Sequence, residues 1–255
     1  MERLSVEKAN WICEKKLPLI PGNLEPNGVT INHCVPLIFE SYCKLFHPFE
    51  ININESDILI PDKVYKQETA ELDLHKQYQK KKQEHESQNL KFVDWQFVAQ
   101  KYGLIFHKEI SIQAFNEKFK KIGWPKNLWS PREGYLPRPL LKKLLSILKK
   151  ETDNDIVFVY QIPPNSIMKG EKFQDLIKCT FEEVLSYFDE DFIGYLYPED
   201  ESWIGSTDTD LHFTIIGGTK KLIGAIVNSN LEAIECGPTT RVDNYSDKLN
   251  KVSRI

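Results

Sequence analysis

After Asp155 the chain becomes a succession of short β-prone runs joined by brief links, and this restricts the fold more than any other feature. Parallel strands need a crossover of a dozen or more residues, whereas antiparallel neighbours can follow one another through tight turns. Ile156-Val157-Phe158-Val159-Tyr160 is a continuous run of the kind buried on both faces. Pro163-Pro164 and Gly170 break it ahead of a second run, Phe173 to Cys179. Further strands are predicted at Ile193–Tyr197, Trp203–Thr207, Leu211–Ile216 and Leu231–Cys236. Thr180-Phe181-Glu182-Glu183 is a capping box and should start a helix running to about Phe188. Gly217-Gly218-Thr219 leads into another helix, with Leu222, Ile223, Ile226 and Val227 on one side. The pattern is an antiparallel meander with helices gathered on one face.

The first part of the chain carries helix signals. Pro36 could open a helix placing Leu37, Ile38, Leu45 and Phe46 on one face, with Pro48 as its stop. Asp94 reads as an N-cap for a stripe of Trp95, Val98, Ala99 and Tyr102, closed by Gly103. A shorter helix carries Phe115, Phe119 and Ile122 and ends at Gly123. Trp124 to Arg138 reads as an irregular connector packed by Trp124 and Trp129. Pro139 starts the strongest helix, with Leu140, Leu141, Leu144, Leu145 and Leu148 in one stripe and Lys142, Lys143, Lys149 and Lys150 facing water. Val64–Leu90 is polar and reads as an insertion outside the core. The expected fold is therefore α+β: N-terminal helices packed on a mainly antiparallel sheet formed by the C-terminal half. One domain over 1–255 is expected, helical over about 1–150 and sheet over about 151–255, with the insertion at about 64–90.

Charge is unevenly distributed. The 255 residues carry a formal net charge of -4. Lys63 to Lys150 has 19 Lys+Arg against 9 Asp+Glu, while Glu151 to Ile216 has 3 against 15. Such asymmetry bears on partners more than on fold. The basic segment is rich in lysine, not arginine, and lacks aromatics through Gln77–Glu86, which argues against nucleic acid. No stretch supplies the roughly 20 apolar residues of a membrane span. Met1 to Lys8 contains no apolar signal core, and five scattered cysteines without a CxxC pair suit a reducing compartment. A cytoplasmic location without a membrane partner is expected.

Trp203-Ile204-Gly205-Ser206-Thr207-Asp208-Thr209-Asp210-Leu211, followed by Thr214-Ile215-Ile216-Gly217-Gly218 and Leu231-Glu232-Ala233, resembles the C-terminal signature of an uncharacterised bacterial protein family. Tyr42, His47-Pro48, Trp95 with Val98-Ala99, and Gly134-Tyr135-Leu136-Pro137 stand in the order associated with that family. The resemblance implies a bacterial cytoplasmic protein and carries no activity with it.

Several constellations could carry chemistry. Asp208, Asp210 and His212 would share one face of an extended chain, as a divalent metal requires, although Asp-Thr-Asp is also turn chemistry. Cys43 and His47 fall one helical turn apart on the helix predicted there, a nucleophile arrangement in principle. His33-Cys34 fits no zinc-ligand spacing, and Gly217-Gly218 lacks the companions of a phosphate loop. GxSxG, HExxH and kinase motifs are absent. No catalytic residue, metal or other cofactor is therefore assigned. The strongest candidate is a surface on which Asp189-Glu190-Asp191, Glu199-Asp200-Glu201, Asp208 and Asp210 flank Tyr195, Tyr197 and Trp203. Acidic groups steer a basic protein and aromatics anchor it. The leading reading is a non-enzymatic binding protein of the immunity or antitoxin kind, recognising a basic protein through Asp191, Tyr195, Tyr197, Glu199, Asp200, Trp203, Asp208 and Asp210. The alternative is a metal-dependent enzyme centred on Asp208, Asp210 and His212.

Overall fold

A computed structural model of the chain describes residues 1–18, 28–71, 89–134, 136–161, 175–187 and 194–251. The strands within them are β1 (Glu2–Leu4), β2 (Ser41–Phe46), β3 (Phe49–Asn52), β4 (Leu59–Ile60), β5 (Leu90–Val93), β6 (Trp124–Pro125), β7 (Leu128–Trp129), β8 (Ile156–Gln161), β9 (Asp175–Thr180), β10 (Gly194–Pro198), β11 (Ile204–Thr207), β12 (Phe213–Gly218) and β13 (Ala233–Cys236). The helices are α1 (Asn10–Glu14), α2 (Ile31–Cys34), α3 (Asp62–Glu71), α4 (Trp95–Lys101), α5 (Ile112–Ile122), α6 (Arg138–Lys150), α7 (Phe181–Tyr187) and α8 (Lys220–Val227). A 3-10 turn at Val6–Ala9 precedes α1. The chain forms two compact units, one of residues 1–47 and 132–243, the other of 48–131 and 244–255.

The first unit is an eight-stranded sheet in the order β1-β9-β8-β10-β11-β12-β2-β13, antiparallel at every pairing. The meander expected from the short links is β10-β11-β12, with Tyr195 opposite Ser206 and Ser206 opposite Ile215. Alternation then sends Cys43, Leu45, Val157, Val159, Ile177, Leu196 and Ile216 to one face, where they share a core with α6, α7 and α8. On α6 the buried positions are Leu141, Leu144, Leu145 and Leu148, while Lys142, Lys143, Lys149 and Lys150 are exposed. Each such leucine stabilises the fold by roughly 1.5–3 kcal/mol. The capping box closes as read: Thr180 N donates to Glu183 at 2.8 Å, and Glu183 N donates to Thr180 Oγ1 at 3.3 Å. The mixed α+β class thus holds, with a large sheet built mostly from the C-terminal half.

The helix expected between Pro36 and Pro48 is instead β2, lying between β12 and β13 with all six residues buried. The helical spacing of its apolar positions misled because a strand covered on both faces needs no alternation. Lys44 is fully buried there, its ammonium donating to the Arg241 carbonyl at 3.0 Å and lying 4.5 Å from the Phe213 ring centre. The N-terminal part also supplies β1 to the large sheet.

In the second unit, β5-β3-β7 and β4-β6 form two small sheets. Phe49, Trp95 and Phe115 meet with ring centres 4.9–5.4 Å apart. Helices α4 and α5 match the sequence reading, and Gly123 ends α5 with φ at 105°. The expected irregular connector contains the short strands β6 and β7, and Trp124 stacks on Tyr65 with ring centres 4.3 Å apart. Of the polar 64–90 stretch, residues 72–88 lie outside the described residues.

Candidate functional site

The pleat of the large sheet separates the aromatics that the sequence groups together. Tyr195 and Tyr197 alternate with Leu196, which faces the helices, so the two tyrosines occupy the opposite face. There Tyr160 stacks near Tyr195 with ring centres 6.0 Å apart, and Phe158 stacks on Tyr197 at 5.3 Å. Trp203 goes the other way. It is 1% exposed within the helix-side core, its indole N–H donating to Thr152 Oγ1 at 2.9 Å. As a surface anchor Trp203 is therefore corrected: it is a core side chain whose polar edge is already satisfied.

Tyr195 and Tyr197 are covered as well, by residues near the N-terminus. Trp11 meets Tyr197 edge-on with ring centres 5.3 Å apart. Lys16 Nζ donates to the Tyr195 hydroxyl at 2.8 Å, and that hydroxyl donates to the Cys34 carbonyl at 3.2 Å. Burial raises the Tyr195 pKa despite the opposing Lys16 charge. Trp11 and Lys16 went unnoticed in the sequence because more than 170 residues separate them from the tyrosines they touch.

The acidic segment is also less free than its composition suggests. Glu199 pairs with Lys178 at 2.9 Å and Glu201 with Lys15 at 3.6 Å. Glu151, Asp155, Asp175 and Glu183 pair with Lys221, Lys149, Arg3 and the N-terminal ammonium respectively. A continuous unmatched acidic rim is thus corrected to separate ion pairs, most of them exposed. Asp200 accepts from Ser202 N at 3.1 Å. Asp189, Glu190 and Asp191 lie outside the described residues.

Two of the described carboxylates without a lysine or arginine partner stand at the β11–β12 turn. Asp208 Oδ1 accepts from Asp210 N at 3.3 Å and from the Thr209 hydroxyl at 3.2 Å, and Leu211 N donates to the Asp208 carbonyl at 3.1 Å. This is an aspartate-capped turn. It overturns the extended arrangement on which a metal centre of Asp208, Asp210 and His212 depended. Among the described residues no group of three His, Cys, Asp or Glu is placed to hold a metal ion. Glu133 joins the turn from the other side, because Gly134 N donates to the Leu211 carbonyl at 2.8 Å. Gly134 has φ at 64°, and a Cβ there would lie 3.0 Å from Thr209 Cα. Burial, and next the charge of Asp210, raise the Glu133 carboxyl above its usual range. His212 Nε2 stands 3.6 Å from Glu133, but burial pushes its pKa down to about 4, so it is neutral at pH 7.

Beneath the turn runs a buried polar chain. Burial holds the His47 pKa at about 3, so its imidazole is neutral. Its Nδ1 lies 3.1 Å from the Arg132 carbonyl, which can only accept, so Nδ1 carries the proton. Nε2 must then accept from Thr214 Oγ1 at 3.1 Å, and Thr214 in turn accepts from Thr207 Oγ1 at 2.7 Å. A hydroxyl–imidazole–carbonyl chain resembles an activated nucleophile. Here Thr207, Thr214 and His47 are each at most 1% exposed, which leaves a reacting atom no approach. The chain's role is to fasten the 132–134 segment to the sheet.

The remaining candidates resolve into packing. Cys43 and His47 sit on and just past a strand, where four residues span about 13 Å, and burial holds the Cys43 thiol pKa well above normal. His33 Nδ1 accepts from Thr30 N at 3.1 Å, capping α2. Cβ atoms at Gly217 and Gly218 would lie 2.6 Å from Phe39 and 2.9 Å from Leu222. The first amides of α8 are met internally, Lys220 N donating to Glu40 at 3.0 Å and Leu222 N to Thr219 Oγ1 at 3.1 Å. Among the described residues no helix is long and apolar enough to cross a membrane.

Part of the set of motifs that carried the family resemblance meets in this region. His47 follows β2 and bonds Thr214, Gly134 locks onto the turn, and Asp208 to Leu211 form it. No curated protein and no solved structure matches the chain. Residues 27–246 match the family described as protein of unknown function (DUF2711), and the chain belongs to that family.

Proposed function

We propose that the protein is a non-enzymatic binding protein, of the immunity or antitoxin kind, which holds a cationic group of a basic protein partner at Asp208, Asp210 and Glu133. One observation carries this reading. Among the described residues these three carboxylates have no lysine or arginine partner, whereas Glu151, Asp155, Asp175, Glu199 and Glu201 of the acidic segment do. The neighbouring His212 is neutral and compensates nothing. Carboxylates held together this way repel one another, and the raised Glu133 pKa records that strain alongside burial. A lysine or arginine from a partner would relieve it. Exposed aspartates at a turn also suit fast, charge-steered encounter.

The test is capture of partners from extracts of the native host by the full chain and by Asp208→Asn/Asp210→Asn. Comparing about 50 mM with about 500 mM salt brackets the range over which screening shortens from beyond 10 Å to a few ångströms. The expected result is a basic protein held at low salt, released at high salt and lost with the variant. Equal capture by both chains would refute the reading.

A further inference from the structure

The tyrosine face of β8 and β10 is covered by a segment that has the chemistry of a ligand. Between Val6 and Pro18 the chain lays Trp11 against Tyr197, buries Ile12 completely, and brings Lys15 to Glu201 and Lys16 to the Tyr195 hydroxyl. Lys15 Nζ also lies 5.2 Å from the Trp11 ring centre, and Lys16 Nζ 5.2 Å from that of Tyr195. An aromatic side chain followed one helical turn later by two lysines thus rests on tyrosines and a glutamate. This matches the basic partner expected for Tyr195, Tyr197 and their acidic neighbours.

Three features set this cover apart from ordinary core. Its seam is imperfect: Trp11 Nε1 and the Tyr197 hydroxyl are both buried and, among the described residues, neither makes a hydrogen bond of good geometry, each having the other as its polar neighbour. A well-adapted core satisfies such groups. Besides the contacts already named, its moorings are the three-residue edge strand β1, two backbone hydrogen bonds (Leu17 N to the Asn32 carbonyl at 2.8 Å and Leu37 N to the Lys15 carbonyl at 3.0 Å), the exposed Arg3–Asp175 pair and the pair between the N-terminal ammonium and Glu183. Surface pairs of this kind hold weakly. Finally, the family match begins at residue 27, so the tyrosine face lies inside the matched residues and the cover outside them.

We propose that residues 1–18 are a displaceable cover acting in cis, and that the tyrosine face beneath receives a partner segment of the same chemistry, an aromatic residue followed by paired lysines. The proposal rests on the protein being one that binds a basic partner. Partner binding then competes with the chain's own N-terminal segment, which makes the cover a built-in brake on affinity.

The experiment uses the full chain and a fluorescent peptide reproducing residues 5–18 with Cys13→Ser. Native protein should bind it weakly. A chain carrying Trp11→Ala and Lys16→Ala should bind at least about tenfold more tightly, as expected when a competing state is removed. Adding Tyr195→Phe and Glu201→Gln should abolish that gain. Equal binding by the native and opened chains would overturn the proposal. Hydrogen exchange on the native chain needs no substitution that could unfold it. Amides of β1 and α1 should exchange well before those of β8 and β10. Exchange of all four in step would mean that the cover leaves only on global unfolding, and would also overturn it. Partner capture through Asp208 and Asp210 reads the turn and not the tyrosine face, so the two readings fail separately.

Discussion

Acidification from pH 7 to pH 5 should destabilise this protein through two buried histidines. His47 and His212 are neutral in the fold, with burial pushing their pKa values to about 3 and about 4. In the unfolded chain each returns to about 6.5. The unfolded state therefore binds more protons between these values, and stability falls as pH drops below 6.5. At pH 5 the unfolded histidines are almost fully charged and the folded ones almost fully neutral. The linkage relation gives a loss of about 2 kcal/mol for each histidine between pH 7 and pH 5, or about 4 kcal/mol together. Against a total stability of about 5–15 kcal/mol, that is a large fraction. Glu133 opposes it slightly, since its raised pKa lets the folded state take up a proton sooner as pH falls. The carboxylates whose pKa values are lowered, Glu183 by the Thr180 backbone amide and next the N-terminal ammonium and Glu117 by its bond to Lys120, add losses only below the ordinary carboxylate range. Urea unfolding at pH 7, 6 and 5 measures the effect as a falling midpoint at constant slope. His47→Gln can still accept from Thr214 and donate to the Arg132 carbonyl, so it should keep the fold and remove about half of the pH dependence. An unchanged midpoint between pH 7 and pH 5, or a His47→Gln chain with the native pH dependence, would refute the assignment of neutral buried imidazoles.

Two further outcomes follow from local geometry. Gly134→Ala places a Cβ in a left-handed conformation and 3.0 Å from Thr209 Cα, so it should cost at least about 1–2 kcal/mol. Thermal unfolding reads this as a lower midpoint, and an unchanged one would mean that the 132–134 segment does not lock the turn. Thiol labelling of the native chain at pH 7 should modify Cys13 first, because Cys43, Cys179 and Cys236 are buried and burial pushes the Cys34 thiol to about 12. Rapid labelling of a second cysteine would contradict the packing around the sheet.

Much of the fold could be read from local pattern. The β-prone runs after Asp155, the Thr180 capping box and the leucine stripe of α6 are signals in which residue chemistry and element agree, and each marks a real element. The failure at β2 has a physical cause. Ser41 to Phe46 lies between two other strands with both faces covered, so its apolar residues obey no two-residue period and coincide with helical spacing instead. The edge strand β1, three residues long and mostly polar, offers no pattern at all. Its pairing is decided by β9, more than 170 residues away.

The site was legible only where it is local. Asp208-Thr209-Asp210 read as a turn from side-chain chemistry alone, and it is one. Whether Trp203 shares a surface with Tyr195 depends on cross-strand register, which no single strand encodes. Tyr195 lies opposite Ser206, so Ser206 and Ile204 take the tyrosine face and Trp203 falls to the helices. A shift of one residue would have reversed this. The same argument governs charge. Counting 15 carboxylates against 3 basic residues treats a segment as a surface, yet Lys15, Arg3 and Lys221 come from outside the segment to neutralise it. Residual charge after folding is therefore the informative quantity, and among the described residues of the segment and its surroundings it rests on the β11–β12 turn, the glutamate beside it and the exposed Asp153, Glu182 and Asp200.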